Sequence, residues 1–124
     1  MSWLAVGIGG ALGACMRWHL SVWLNSLHSQ LPIGTLVSNL IGGLWIGIAV
    51  AFFSQSNVSP EWRLFIITGF LGGLTTFSTF SAESLELLQR GEYFWALGHT
   101  LTHLLGSLIF CMIGFACYKS FTSG

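Results

Sequence analysis

The sequence predicts an all-α membrane protein with four transmembrane helices, the third of which is broken near the middle of the membrane. Only 6% of the 124 residues are charged, against roughly 25% in soluble domains. Mean hydropathy is +0.75, and apolar runs long enough to cross a bilayer follow one another along the chain. The formal net charge is zero, which argues against nucleic acid as a partner. We therefore expect a single transmembrane domain over residues 1–124, embedded in a lipid bilayer.

Each predicted span ends at a short polar or glycine-containing loop. The first is expected at about 3–24, before the loop NSLHSQLP, and the second at about 33–53, before SQSNVSP. The third, at about 61–89, is too long for one plain span, and RGEY separates it from the fourth at about 94–118. Glycines four residues apart predict close helix packing in lipid. The pairs are Gly9 with Gly13, Gly43 with Gly47, and Gly69 with Gly73.

The segment GGLTTFSTFSAE is the most polar part of the third span. Glycines weaken a helix and hydroxyl groups compete for its backbone hydrogen bonds, so we expect a break near 72–76. Carbonyl groups exposed near Gly72 and Thr75 could then hold a hard cation. The alternative is a glycine kink whose backbone groups are satisfied by the hydroxyls.

Phe77 and Phe80 lie three residues apart in this segment and share a helix face. Such a pair usually packs together. Hydroxyl side chains surround this one, however, including those of Thr79 and Ser81. Because ring edges carry a partial positive charge, the two rings could instead aim their edges at a small anion.

Polar side chains also occur inside or close to the other spans. Arg17 either faces a cavity or the bundle interior, or reaches from the span end to the headgroups. Asn39 and Thr35 lie on one face of the second span and either hydrogen-bond between helices or offer donors to a polar pathway. Glu83 is expected to cap such a pathway, to couple proton movement or to pair with Arg17.

The last span carries a polar stripe. His103, Ser107 and Cys111 recur every four residues, and His99 extends the stripe by one turn. The two histidines also form half of a metal site, but the sequence shows no third ligand, so the stripe is favoured. An enzyme is not expected, because we find no catalytic triad, metal cluster or phosphate loop.

The positive charges give membrane insertion little direction. If the N-terminus is inside, Arg63 and Lys119 lie near the inner face, and Arg17 and Arg90 lie toward the outer face. Either weak signals elsewhere decide the orientation, or both orientations insert and pair as an antiparallel dimer. Four spans form a thin bundle, so we expect an oligomer in both cases.

Together these motifs resemble the Fluc/CrcB family of bacterial fluoride channels. The resemblance covers nearly the whole chain and includes GGALGACMRW, GTLVSNLIGG, GGLTTFSTFSAE and HLLGS, in this order, one in each span. It implies a dual-topology homodimer of antiparallel subunits with two pores. It also implies passive, selective fluoride conduction across the bacterial inner membrane, which gives the cell fluoride resistance.

The resemblance assigns a fluoride pathway to particular side chains. Phe77 and Phe80 would supply ring edges, Asn39 would donate to fluoride, and Arg17 would lie in the aqueous vestibule. The rest of the pathway would be formed by Thr35, Thr79, Ser81, Glu83, His103 and Ser107.

The resemblance also implies one structural Na⁺ at the dimer centre. Main-chain carbonyls of Gly72 and Thr75 would meet their symmetry mates around this ion. The chain departs from the family pattern at two positions of the stripe. The family often has Tyr at the position of His103, and Ser or Thr at that of Cys111.

Two alternatives belong to other functional classes. Small multidrug exporters are also four-span, dual-topology dimers, but they carry a membrane-embedded Glu in the first span, where this chain has Arg17. A non-transporting subunit of a membrane assembly would need no polar stripe. Anion efflux from liposomes distinguishes both alternatives from a fluoride channel.

Overall fold

The computed structural model of the protein describes residues 1–123, and all regular structure in this range is helical. In chain order the α-helices are α1 (Ser2–Leu24), α2 (Ile33–Ser54), α3 (Pro60–Arg63), α4 (Gly72–Leu74), α5 (Phe77–Gln89) and α6 (Tyr93–Ser123). A short 3₁₀ turn, Asn25–Leu27, follows α1, and a π-helix, Leu64–Leu71, joins α3 to α4. The predicted all-α architecture is therefore confirmed.

Three stretches of helix are long and apolar enough to cross a membrane: Ile33–Ser54, Pro60–Gln89 and Tyr93–Thr122. They match the predicted second, third and fourth spans. The predicted first span is also a helix, α1, but it is not among the three. It has the length, and Arg17, His19 and several glycines lower its hydropathy.

The third span is broken where two threonines adopt extended backbone conformations. Thr75 has φ −91° and ψ 158°, and Thr76 has φ −152° and ψ 125°. The predicted break near 72–76 is confirmed, and it occupies the C-terminal part of that range because Gly72–Leu74 are still helical. A new helix, α5, then begins at Phe77, with the Thr76 side chain accepting a hydrogen bond from the Thr79 amide at 3.0 Å.

Close helix contacts depend on the paired glycines. A Cβ placed on Gly73 would lie 2.6 Å from the Gly10 carbonyl oxygen, so α4 and α1 touch through their backbones. A Cβ on Gly43 would lie 2.9 Å from the Ser107 carbonyl oxygen, so α2 and α6 approach each other in the same way. The predicted role of the glycine spacing in packing is therefore confirmed.

A tight turn reverses the chain between α5 and α6. Gly91 has φ 76°, a conformation that favours glycine. The Glu92 amide donates to the Leu87 carbonyl at 2.9 Å, and the Gly91 amide donates to the Leu88 carbonyl at 3.1 Å. This pattern closes the C-terminal end of α5 and folds α6 back along it, so that the polar residues of the two helices face one another.

Candidate functional site

Asn39 connects α2 to the break in the third span. Its Oδ1 accepts a hydrogen bond from the Thr76 amide at 2.8 Å, and its Nδ2 donates to the Thr76 carbonyl at 3.1 Å. Because the two Thr76 groups have opposite polarity, they fix which end of the Asn39 amide is oxygen and which is nitrogen. Asn39 is 8% exposed, so this contact lies inside the bundle.

The same amide sets the protonation of His103. Asn39 Nδ2 lies 2.9 Å from His103 Nδ1, and it can only donate. Neutral His103 must therefore accept at Nδ1 and carry its hydrogen on Nε2. His103 Nε2 is buried and has no hydrogen-bond partner in the described part of the chain. His103 Nε2–H is therefore a buried donor that has no acceptor among the described residues.

Phe80 lies at the centre of an aromatic cluster formed by α5 and α6. Its ring centroid is 4.8 Å from that of His103 and 5.3 Å from that of His99. Phe77 meets Phe80 edge to face, with centroids 5.5 Å apart and planes at 61°. Phe77 is 78% exposed, so most of its ring has no contact within the single chain. The structure thus shows Phe77 and Phe80 packed together, and it leaves the edges of Phe77 open.

Glu83 is held between α2 and α6. Its Oε2 accepts a hydrogen bond from the Thr35 hydroxyl at 2.6 Å, and its Oε1 lies 3.5 Å from His99 Nε2. Thr35 is fully buried, and its amide donates to Asn25 Oδ1 at 3.1 Å. Glu83 is therefore not the partner of Arg17, one of the three roles considered for it, because its carboxylate is engaged by Thr35 and faces His99.

A pocket of about 270 Å³ lies beside the break. It is lined by Asn39, Thr75, Thr76, Phe77, Phe80, His103, Leu104 and Ser107. A second pocket shares Asn39, Thr75, Leu104 and Ser107 with the first and continues to Cys111. The stripe on α6 thus runs along two adjoining pockets.

Five residues of the predicted pathway do not line these two pockets: Arg17, Thr35, Thr79, Ser81 and Glu83. Thr79 is half-buried, and its amide donates to the Thr76 hydroxyl, which caps α5. Ser81 is exposed on the single chain. Neither side chain lines the two pockets at the break, and their roles along the pathway stay predictions.

Arg17 of α1 also contacts the break. Its Nε donates to the Gly73 carbonyl at 3.0 Å, and the side chain is half-buried. This contact agrees better with a side chain facing the bundle interior than with one extended into headgroups. It also satisfies one of the carbonyl groups that lose their helical hydrogen bond at the break.

The residues predicted to hold sodium fit a hard cation. In a continuous helix the Gly72 carbonyl would accept from the Thr76 amide, but Asn39 binds that amide instead. The extended conformation of Thr75 turns its own carbonyl out of the helical direction. Gly72 is exposed, and a Cβ placed on it would meet only the Ile67 carbonyl oxygen, at 3.5 Å. Oxygens of this kind are the ligands that hard cations prefer.

The start of α5 is a feature that the sequence prediction missed. The break gives α5 an N-terminal end of its own inside the bundle, and Thr76 and Phe77 at this end line the pocket. Such an end carries a partial positive charge and unpaired amides, both of which favour anions. The spacing of Thr76 and Thr79 was a capping signal that could have located it.

Comparison with known proteins identifies the family of the chain. Residues 4–115 match the family described as CrcB-like protein, Camphor Resistance (CrcB). A relative from Cupriavidus pinatubonensis, named fluoride-specific ion channel FluC, is 57% identical over 120 residues, which is 96% of this chain and 95% of the relative. A protein of the same name from Pseudomonas putida is 55% identical over 124 residues, 99% of this chain and 97% of the relative.

These matches bear on three of the predictions. The relatives are named as ion channels, which confirms that the family is not one of enzymes and favours the channel over the exporter and the assembly subunit. The matched region runs through all the helices that build the site. Sequence identity above 50% over nearly the full length, together with the family match, shows that the chain is related to these proteins. The chain is a multi-pass membrane protein of the CrcB family, the family of fluoride ion channels that its motifs resemble.

Proposed function

We propose that this chain is the subunit of a fluoride-selective channel that lets fluoride leave the cell passively across the bacterial inner membrane. Two kinds of observation support the proposal. Relatives that share more than half of its residues over nearly their whole length are named fluoride-specific ion channels. The chain also builds a polar pocket at a helix break inside a membrane domain.

The single observation that carries the mechanism is the contact between Asn39 and Thr76. It holds the break open and gives α5 its own N-terminal end beside the pocket. Fluoride is small and strongly hydrated, so its water must be replaced by donors that converge closely. Amides at the start of α5 and the ring edges of Phe77 and Phe80 are the donors available there.

The resemblance implies that Asn39 donates directly to fluoride. In this conformation Asn39 has no free hydrogen to donate to an ion. Both Nδ2 hydrogens are already engaged, one by the Thr76 carbonyl and one by His103. Asn39 therefore orients the donors in this conformation. It can donate to an ion itself only after one of these two contacts is released.

An antiparallel homodimer completes the proposed pathway. The pocket is open on one side, Phe77 is 78% exposed, and Gly72 is exposed, so a second copy can cover all three. Two copies related by a two-fold axis in the membrane plane would form two equivalent pores. Their Gly72 and Thr75 carbonyls would together provide four oxygens for one Na⁺ at the dimer centre, where the ion would neutralise carbonyl dipoles.

Anion efflux from liposomes tests this function. Purified protein is reconstituted in vesicles loaded with fluoride or with chloride, and efflux is followed with an ion-selective electrode against protein-free vesicles. Fast fluoride efflux without chloride efflux is expected. Equal efflux of the two anions, or fluoride efflux no faster than that of empty vesicles, would overturn the proposal.

A further inference from the structure

Three polar atoms lack a hydrogen bond at the buried junction of α5 and α6, although two of them, Glu83 Oε1 and His99 Nε2, lie 3.5 Å apart. They are Glu83 Oε1, His99 Nε2 and His103 Nε2, and each is buried without a hydrogen bond in the described part of the chain. His99 is 2% and His103 3% exposed. A ligand atom from each of the three side chains lies within 4.8 Å of the other two. Because buried polar atoms rarely lack a hydrogen-bond partner, we expect a ligand to bind at this cluster.

We propose that Glu83, His99 and His103 bind one divalent transition-metal ion of the zinc type, and that the bound ion inhibits the channel. The inhibition rests on the proposed function, whereas the metal binding does not. Two histidines and one carboxylate are a common ligand set for zinc, with the fourth position open to water or an anion. Zinc bonds of about 2.0–2.2 Å bring ligand atoms roughly 3.3 Å apart, so the side chains must close slightly.

One of the ligands already has an outer contact of the kind that metal ligands have. Thr35 donates to Glu83 Oε2 at 2.6 Å, which leaves Oε1 as the free oxygen facing His99. Nε2 of His99 and Nε2 of His103 are buried without a hydrogen bond in the described residues. An outer contact of this kind orients the ligating atom.

His103 links the metal site to the pocket. Its Nδ1 accepts from Asn39, so its hydrogen lies on Nε2 when the site holds no metal. A metal on Nε2 moves that hydrogen to Nδ1, where it faces the donor Nδ2 of Asn39. The Asn39–His103 hydrogen bond must then break, which disturbs the side chain that holds Thr76 at the break. Metal binding at His103 therefore acts on the pocket through Asn39.

Direct metal binding is tested first, without fluoride. Wild-type protein purified in detergent without a polyhistidine tag is titrated with Co²⁺, whose visible absorption rises strongly in a four-coordinate site, and then with Zn²⁺ to displace it. One Co²⁺ per chain, displaced by Zn²⁺, is expected. Absence of saturable Co²⁺ or Zn²⁺ binding to the folded wild-type protein would overturn the site, whatever the fluoride assay gives.

Variants then assign the ligands. Glu83→Gln, His99→Gln and His103→Gln should each weaken Co²⁺ binding at least about ten-fold, because losing even an outer contact of a metal ligand weakens metal affinity by about ten-fold or more. The control is the double variant His19→Ala, His28→Ala, which removes two histidines outside the cluster and should bind as the wild type does. Unchanged binding in a folded His103→Gln or Glu83→Gln variant would overturn the three-ligand site.

The functional consequence is measured in liposomes. Micromolar Zn²⁺ should reduce fluoride efflux through the wild type and through the His19→Ala, His28→Ala control, and a chelator should restore it. In the His99→Gln variant, residual fluoride efflux should be insensitive to Zn²⁺. Equal Zn²⁺ inhibition of the His99→Gln variant and the wild type would overturn the link between this site and conduction, while a protein that conducts no fluoride at all would refute only the proposed function.

Discussion

Asn39 and Thr76 are joined by two hydrogen bonds of opposite sense, at 2.8 and 3.1 Å, between a side-chain amide of α2 and the backbone of the break. The Asn39 amide thus replaces the hydrogen bonds that Thr76 would make in a continuous helix. In lipid an unpaired backbone group is costly, so one side chain makes it possible to interrupt a membrane helix at this point. The pocket, the new helix start and the tautomer of His103 all follow from this pairing.

Asn39→Asp should reduce fluoride efflux roughly ten-fold or more, since a lost or unpaired buried donor is worth about 1–3 kcal/mol. An ionised carboxylate has no hydrogen to give to the Thr76 carbonyl or to His103, and its charge repels an anion. The measurement is fluoride efflux from liposomes containing protein that elutes as the wild type does in size-exclusion chromatography. Ser38→Ala is the control, because Ser38 is also buried and its hydroxyl has no hydrogen-bond partner in the described residues. Normal efflux in Asn39→Asp would remove Asn39 from the pathway.

Phe80→Ile should impair fluoride efflux while the protein stays assembled. Isoleucine retains much of the packing volume against His99 and His103, but it has no polarised ring edge. Efflux of each variant is compared at equal amounts of reconstituted protein. Phe121→Ile, which changes a phenylalanine that is 88% exposed near the end of α6, should behave as the wild type does. If Phe80→Ile and Phe121→Ile conduct equally well, Phe80 serves packing alone.

Gly73→Ala should destabilise the fold by about 1–3 kcal/mol, the usual cost of overpacking a close contact. The new methyl group would lie 2.6 Å from the Gly10 carbonyl oxygen and would push α4 away from α1. Thermal unfolding in detergent, followed by tryptophan fluorescence, gives the change in Tm. Gly98→Ala is the matched control, because a Cβ on Gly98 meets nothing within 4 Å. Equal Tm values for the two variants would show that α1 and α4 are not in backbone contact.

The helices and the break could be predicted from local sequence, whereas the partners of each polar side chain could not. The run of glycines and hydroxyls in GGLTTFSTFSAE located the break to within a few residues. That Asn39 would bind Thr76, 37 residues later, depends on how α2 packs against the third span. Glu83 likewise lies beside His99 only because the turn at Gly91 folds α6 back on α5. The three-ligand cluster therefore could not be predicted, because Glu83 lies on a different helix from His99 and His103.

Sodium should stabilise the dimer specifically. The motivation is the freed carbonyls of Gly72 and Thr75, which need a cation or other donors in a dry setting. An ion present at a hundred times its Kd stabilises a protein by about 2.7 kcal/mol, so replacing Na⁺ by N-methylglucamine should lower Tm by several degrees. The comparison is made at constant ionic strength. The same Tm in Na⁺, K⁺ and N-methylglucamine would contradict a structural sodium ion.

Orientation in the membrane gives the last test. If the N-terminus is inside, Arg63 and Lys119 lie near one face and Arg17 and Arg90 toward the other, so we expect insertion to be nearly unbiased. A few lysines added after Gly124 should hold that end in the cytoplasm, and the variant should then insert one way only. In cells lacking other fluoride exporters it should fail to give fluoride resistance alone, because an antiparallel pair needs both orientations.

Co-expression completes this test. A second variant, biased the opposite way, should restore resistance when it is expressed together with the tail-charged variant, and neither should suffice alone. Cysteine accessibility from each side of the membrane verifies that each variant inserts one way. If the tail-charged variant alone gives full resistance while inserting in one orientation, the subunits are parallel. Gly72 and Thr75 of the two copies would then face different depths of the membrane, and the shared sodium site would lose its geometric basis.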